Sequence, residues 1–146
     1  MNTQQQIDEA DVRLQIERLA AAIRAMDIYA MRTIYAEDVV SFDVEAPLQH
    51  LGVEAQCSNW AAVFDAYRAP LGYEIRDLAV FVGGDIAYAH SLNRLSGTLQ
   101  DGSQSGLWVR WTPCFRRIGG QWRIVHHQAS VPIDVASGRA RRDLTP

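Results

Sequence analysis

Residues 105–133, SGLWVRWTPCFRRIGGQWRIVHHQASVPI, carry the strongest fold signal in the chain. Two β-rich runs, Ser105 to Arg117 and Gln121 to Ile133, meet at Gly119-Gly120. A residue without Cβ there can take the positive φ that a tight hairpin needs. Upstream the same grammar repeats. Tyr73 to Val82 and Asp85 to Gly97 are β-rich, and Gly83-Gly84 and Asp101-Gly102 mark the turns around the second of them. The spacing therefore predicts a four-strand antiparallel meander. Its runs exceed the roughly five or six residues of an ordinary strand, and so long a sheet must twist and coil instead of lying flat.

The half before the meander is mostly helical. From about Ile7 to Ala25, Ile7, Val12, Ile16, Leu19, Ala20 and Ile23 recur at helical spacing, with Asp8, Glu9 and Asp11 near the start, where acidic groups suit the helix dipole. Asp27 can cap a second short helix carrying Ile28, Met31, Ile34 and Tyr35 as its apolar stripe. Val39 to Val44 alternates: Val40, Phe42 and Val44 share one side of a strand, and Ser41 and Asp43 share the other. Gly52 opens a third helix through about Tyr67, and Pro70 with Gly72 ends it. The order α-α-β-α-β-β-β-β implies an α+β fold, a cone-shaped curved antiparallel sheet wrapped over three helices with the early strand at one edge. One domain spans residues 1–146, with 134–146 expected as a loose tail.

Composition limits the partners. The 146 residues carry 14 basic and 17 acidic side chains and a net charge of -3, so no long-range field attracts polyanions and nucleic acid is not expected. Arg139, Arg141 and Arg142 read as a solvated tail. No run reaches the ~18 apolar residues of a membrane span, and the N-terminal Met-Asn-Thr-Gln-Gln-Gln lacks the regions of a signal peptide; a cytoplasmic protein is expected. Cys57 and Cys114 stand alone and read as free thiols. His50, His90, His126 and His127 lack the helical i, i+4 spacing of zinc enzymes, so neither a metal nor an organic cofactor is expected.

The order of elements, the Tyr35-Ala36-Glu37-Asp38 turn into a β-rich segment and the run from Gly119 to Pro132 resemble the SnoaL-like and ketosteroid-isomerase-like proteins of the nuclear transport factor 2-like superfamily. The resemblance implies a conical fold that hosts isomerases, cyclases, dehydratases, hydrolases and non-catalytic modules. Ketosteroid isomerases set an aspartate base against a hydrogen-bonded oxyanion hole. Aligned without gaps, that base falls on Asp43, the oxyanion tyrosine on Leu19, the second donor on Thr112, and a related tyrosine position on Trp60. Many relatives carry His-x-His-x-Ser near the end, where this chain has His126-His127-Gln128-Ala129-Ser130.

Anchoring Thr112 inward as its counterpart is, alternation turns Trp108 and Arg110 inward and Val109, Trp111 and Phe115 outward. By similar correspondence Tyr88, His90, Leu92 and Arg94 face in from the strand before, and Arg123, Val125, His127 and Ala129 from the last. The expected pocket joins Asp43, His90 and His127 as candidate catalytic groups with Tyr88, Arg110, Trp60, Phe64, Trp108 and Thr112 as the substrate-binding wall. An apolar wall with a few convergent polar groups is what a small-molecule site needs. The implied function is proton transfer on a hydrophobic carbonyl compound, polyketide- or steroid-like. A non-catalytic binding or assembly module and an Asp-His dehydratase or hydrolase are the alternatives. An apolar outer sheet face is expected to be covered by a second copy, giving a homodimer.

Overall fold

The computed structural model describes residues 3–146. Helix α1 spans Gln4–Arg24 and begins three residues before the first apolar position of its stripe, because Thr3 and Gln6 form a reciprocal capping box. Its buried face is Val12, Ile16, Leu19, Ala20, Ala22 and Ile23, as the periodicity predicts, but Ile7 lies exposed and Asp8 lies buried. Asp8 belongs to the core because Arg117 grips it through two hydrogen bonds of 2.8 and 2.9 Å, and the same guanidinium lies 4.7 Å over the Trp122 ring. That bidentate pairing holds the Asp8 carboxyl below its usual range.

Helix α2, Ile28–Arg32, is capped by the Asp27 carboxyl, which accepts from the Ala30 amide. It is shorter than its apolar stripe suggests. Tyr35 opens strand β1, Tyr35–Phe42, and β2 is the two-residue His50–Leu51. Helix α3, Val53–Ala66, follows Gly52, whose φ of 88° is open to glycine and strained for other residues. The meander is β3 Gly72–Gly83, β4 Ile86–Thr98, β5 Gln104–Ile118 and β6 Gln121–Ser130, close to the bounds read from the sequence. A small hairpin, β7 Ile133–Asp134 with β8 Arg139–Ala140, follows. The main sheet runs β2-β1-β6-β5-β4-β3, all antiparallel except the parallel β1–β6 pair, so the early strand sits one place in from the edge.

Helices and sheet enclose one core, in which Val12, Ile16, Ile23, Met31, Trp111, Phe115 and Ile124 are central. The facing of two strands corrects the alternation argument. On β4 the buried residues are Ala87, Ala89, Ser91 and Asn93, while Tyr88, His90 and Arg94 are exposed. On β5, Trp111, Pro113 and Phe115 are buried, while Arg110 and Thr112 are exposed and Trp108 shares their side. The side-chain period of a strand is two, so a single misplaced anchor at Thr112 inverts every assignment derived from it. On β6 the inference is half right. Cys114 pairs with His126 and Phe115 with Ile124, which leaves Val125 as an unpaired bulge residue. Below the bulge Trp122 and Ile124 point in and Arg123 does not; above it His127 is buried and Ala129 partly so.

Candidate functional site

A cavity of about 100 Å³ opens between the helices and the upper sheet. Its walls are mostly apolar: Leu19 and Ile23 from α1, Trp60 from α3, Leu95 from β4, Leu107, Val109 and Trp111 from β5, and Ala129 from β6. Four polar side chains reach it: Tyr35, Asp43, Tyr73 and His127.

Asp43 follows the last residue of β1 and shares the inward side with Ser41, two residues before it. Its Oδ1 accepts from the Val44 amide at 2.9 Å and its Oδ2 from the Asn59 side chain, on α3, at 3.2 Å. The carboxyl is thus held at the rim by one backbone and one amide donor. Each phenol is also backed by an amide. Gln56 Nε2 donates to the Tyr35 hydroxyl at 3.3 Å, and Asn93 Nδ2 donates to the Tyr73 hydroxyl at 2.7 Å, with Ser91 Oγ donating in turn to Asn93 Oδ1 at 2.6 Å. Desolvation pushes the Tyr73 phenol up to about 12 and raises Tyr35 as well, so both are protonated donors near neutral pH.

His127 stands on β6 beside Ser41 of β1, its ring 6.0 Å from that of Tyr35. It is 4% exposed, and neither ring nitrogen has a hydrogen-bond partner among the described residues. Burial lowers its pKa to about 4; the nearby Asp43 opposes that shift, while His126 and His50 add to it. The imidazole is therefore neutral at pH 7. A folded-state value below the ordinary 6.5 means that the unfolded chain binds more protons between those limits, so stability is lost as pH falls from about 6.5 to about 4. The difference corresponds to about 3 kcal/mol in full. His127→Gln is expected to flatten this part of the stability curve, measured by denaturant unfolding at pH 7 and at pH 4.5. An unchanged slope would show that another group titrates there. Asp8 is a separate contribution, lost only below its unfolded value of 3.8.

Of the expected site residues, the structure brings Asp43, His127 and Trp60 to the cavity. Phe64 is buried behind Trp60 at 5.6 Å between ring centroids. Tyr88, His90, Arg110, Trp108 and Thr112 stand on the opposite face of the sheet, so none can touch a ligand in the cone. Tyr35, Tyr73 and Trp111 line the cavity in their stead, and Asn59 supports Asp43 from α3. The Tyr73 position was readable, because Leu71, Tyr73 and Ile75 alternate with the charged Glu74 and Arg76. A larger open groove of about 670 Å³ runs outside between α1, α2 and the β5–β6 turn. Its walls carry neither Asp43 nor His127 and include several exposed charged residues. No group of three or more His, Cys, Asp or Glu among the described residues is placed to hold a metal ion, and no helix among them is long and apolar enough to cross a membrane.

A coiled sheet closed by helices around an apolar hollow with a few converging polar groups is the cone fold of the nuclear transport factor 2-like class. Residues 12–134 match the SnoaL-like domain model, and the chain belongs to that family. A solved NTF2-like protein of unknown function from Pseudomonas putida KT2440 is 35% identical, with 96% of this chain and 97% of that one covered and a TM-score of 0.86. A ketosteroid isomerase-like protein from Erwinia carotovora atroseptica SCRI1043 is 19% identical, covering 84% and 95% at a TM-score of 0.72. An NTF2-like superfamily protein from Salmonella enterica serovar Typhimurium LT2 is 16% identical, covering 91% and 96% at 0.78. Nothing among curated proteins matches the chain.

Proposed function

We propose that this protein binds a small, largely hydrophobic carbonyl compound in the cone and moves a proton on it, with Asp43 as the base. The observation that carries the reading is one carboxyl group set at the rim of an apolar cavity that also holds a neutral imidazole and two protonated phenols. Removing a proton next to a carbonyl builds negative charge on the oxygen, and preorganised donors in a water-poor site stabilise that charge strongly. Tyr35, Tyr73 and His127 are the groups that face it. Leu19, at the position of the family's oxyanion tyrosine, is only wall. A cavity of roughly 150 Å³ accepts a benzene molecule, so the enclosed 100 Å³ or so holds only part of a ring system, and a ring-sized or larger ligand extends through the open mouth.

The test is a thermal-shift screen of cyclic ketones, enones and aromatic carbonyl compounds beside their carbonyl-free analogues. A ligand at a hundred times its dissociation constant stabilises the fold by about 2.7 kcal/mol. Hits confined to compounds without a carbonyl would remove the substrate class. Binding without conversion, by mass spectrometry, would leave the non-catalytic module, which the Leu19 position favours. Asp-His dehydration or hydrolysis is supported less, because no hydrogen bond joins Asp43 to a histidine.

The outer face supports a homodimer. Phe81, Tyr88, Cys114, His126 and Val40 form one cross-strand row from β3 to β1, with Phe81 stacked on Tyr88 at 4.9 Å and Phe42 edge-on to His126 at 4.7 Å. Phe42, Phe81 and Tyr88 are 39%, 46% and 48% exposed. A solvated sheet face carries polar residues, and an aromatic band calls for cover. Sedimentation is expected to give twice the 16.3 kDa chain mass, and Tyr88→Glu to give the monomer. A wild-type monomer at high concentration would remove this assignment.

A further inference from the structure

Six buried side-chain polar atoms lack a hydrogen-bond partner among the described residues, and five of them lie in one corner of the fold. They are Ser41 Oγ, His50 Nε2, Gln56 Oε1 and both ring nitrogens of His127. The strand register brings three of these residues together, since Ser41 pairs with His50 on one side and with His127 on the other. Gln56 joins them through Tyr35, whose ring packs near His127. Each orphaned buried group costs about 1–3 kcal/mol, so four such residues side by side are not a packing accident. Only His127 and Tyr35 of this corner also line the cavity; Ser41, His50 and Gln56 stand behind them.

The chemistry of the corner selects its ligand. A neutral imidazole offers one donor and one acceptor, and a phenol or serine hydroxyl can do both. Lysine and arginine are absent from the cavity wall, and Asp43 is its one acidic residue. A carboxylate entering here would meet like charge and find no cation, whereas an uncharged hydroxyl can give and accept together. The hydroxyl form of a carbonyl compound is its enol. We propose that His127 is the specificity-determining residue that reads a neutral enol or hydroxyl oxygen of the ligand. This assignment rests on the reading of the cone as a small-molecule site.

Phenol, a ring locked in the enol form, is the probe, with toluene and benzoate as size-matched controls in titration calorimetry. The wild-type protein is expected to bind phenol at least 10-fold more tightly than toluene and benzoate more weakly than either. His127→Leu is expected to bring phenol and toluene to equal affinity. His127→Gln, which keeps one donor and one acceptor in place of the ring, is expected to retain a preference for phenol over toluene that His127→Leu loses. Equal binding of phenol and toluene by the wild type, a phenol preference that survives His127→Leu, or benzoate bound as tightly as phenol overturns the inference and leaves the cavity reading standing. Binding of none of the three sinks both.

Discussion

Replacing Asp43 with asparagine is expected to lower turnover of a confirmed substrate by about 10²–10⁴-fold, the usual contribution of a general base. The protein should still fold. Asparagine keeps the volume and one carbonyl oxygen, which can accept from the Val44 amide as Asp43 Oδ1 does. Asn59 can turn its own amide to accept from the new one, so the link to α3 survives. What disappears is the capacity to take a proton. The readouts are single-turnover rate and unfolding midpoint, taken on the same preparation. A variant that turns over at the wild-type rate would remove Asp43 from the base role and leave the cone as a binding module. Loss of rate together with loss of stability would mean that Asp43 organises the rim instead of reacting.

Phe115→Ala is expected to destabilise the protein by about 3–5 kcal/mol, the range for deleting a fully buried aromatic ring. Phe115 has no exposed surface, lies opposite Ala87 on one neighbouring strand and Ile124 on the other, and shares the core with Val12 and Ile16 of α1. The small alanines of β4 cannot move in to fill the space, so most of the cavity term remains. Chemical denaturation with an unchanged m-value would measure it. A cost below about 1 kcal/mol would show that α1 collapses onto the sheet.

The order of elements, the three glycine hairpins and the inward side of β1 were legible because each rests on local signals. A Gly-Gly pair between β-rich runs and a Ser41-x-Asp43 alternation need no knowledge of distant contacts. The facing of β4 and β5 was not legible. On β4 the chemically suggestive set Tyr88, His90 and Arg94 alternates with the plain set Ala87, Ala89 and Ser91, and the plain set is inside because the bulk of the core there comes from Trp111 and Phe115. On β5 both faces carry a tryptophan, so hydrophobicity alone cannot choose between them. Tyr35 was legible as apolar but not as a site residue, because the end of α2 and the start of β1 fall within three residues of each other.

The bulge at Val125 makes β6 unequal in its tolerance of length change. Losing Val125 itself would regularise the ladder and leave Ile124, His127 and Ala129 facing as they do now, since the deleted residue has no partner on β5. Losing any residue from His127 to Ala129 would remove a cavity-wall residue or carry it to the outside, whereas loss of His126 lets Val125 take its place. Length variation among descendants of this sequence should therefore collect at the Val125-His126 bulge. A deletion scan from Val125 to Ala129, scored by phenol binding, is expected to be permissive at Val125 and His126 and not from His127 to Ala129.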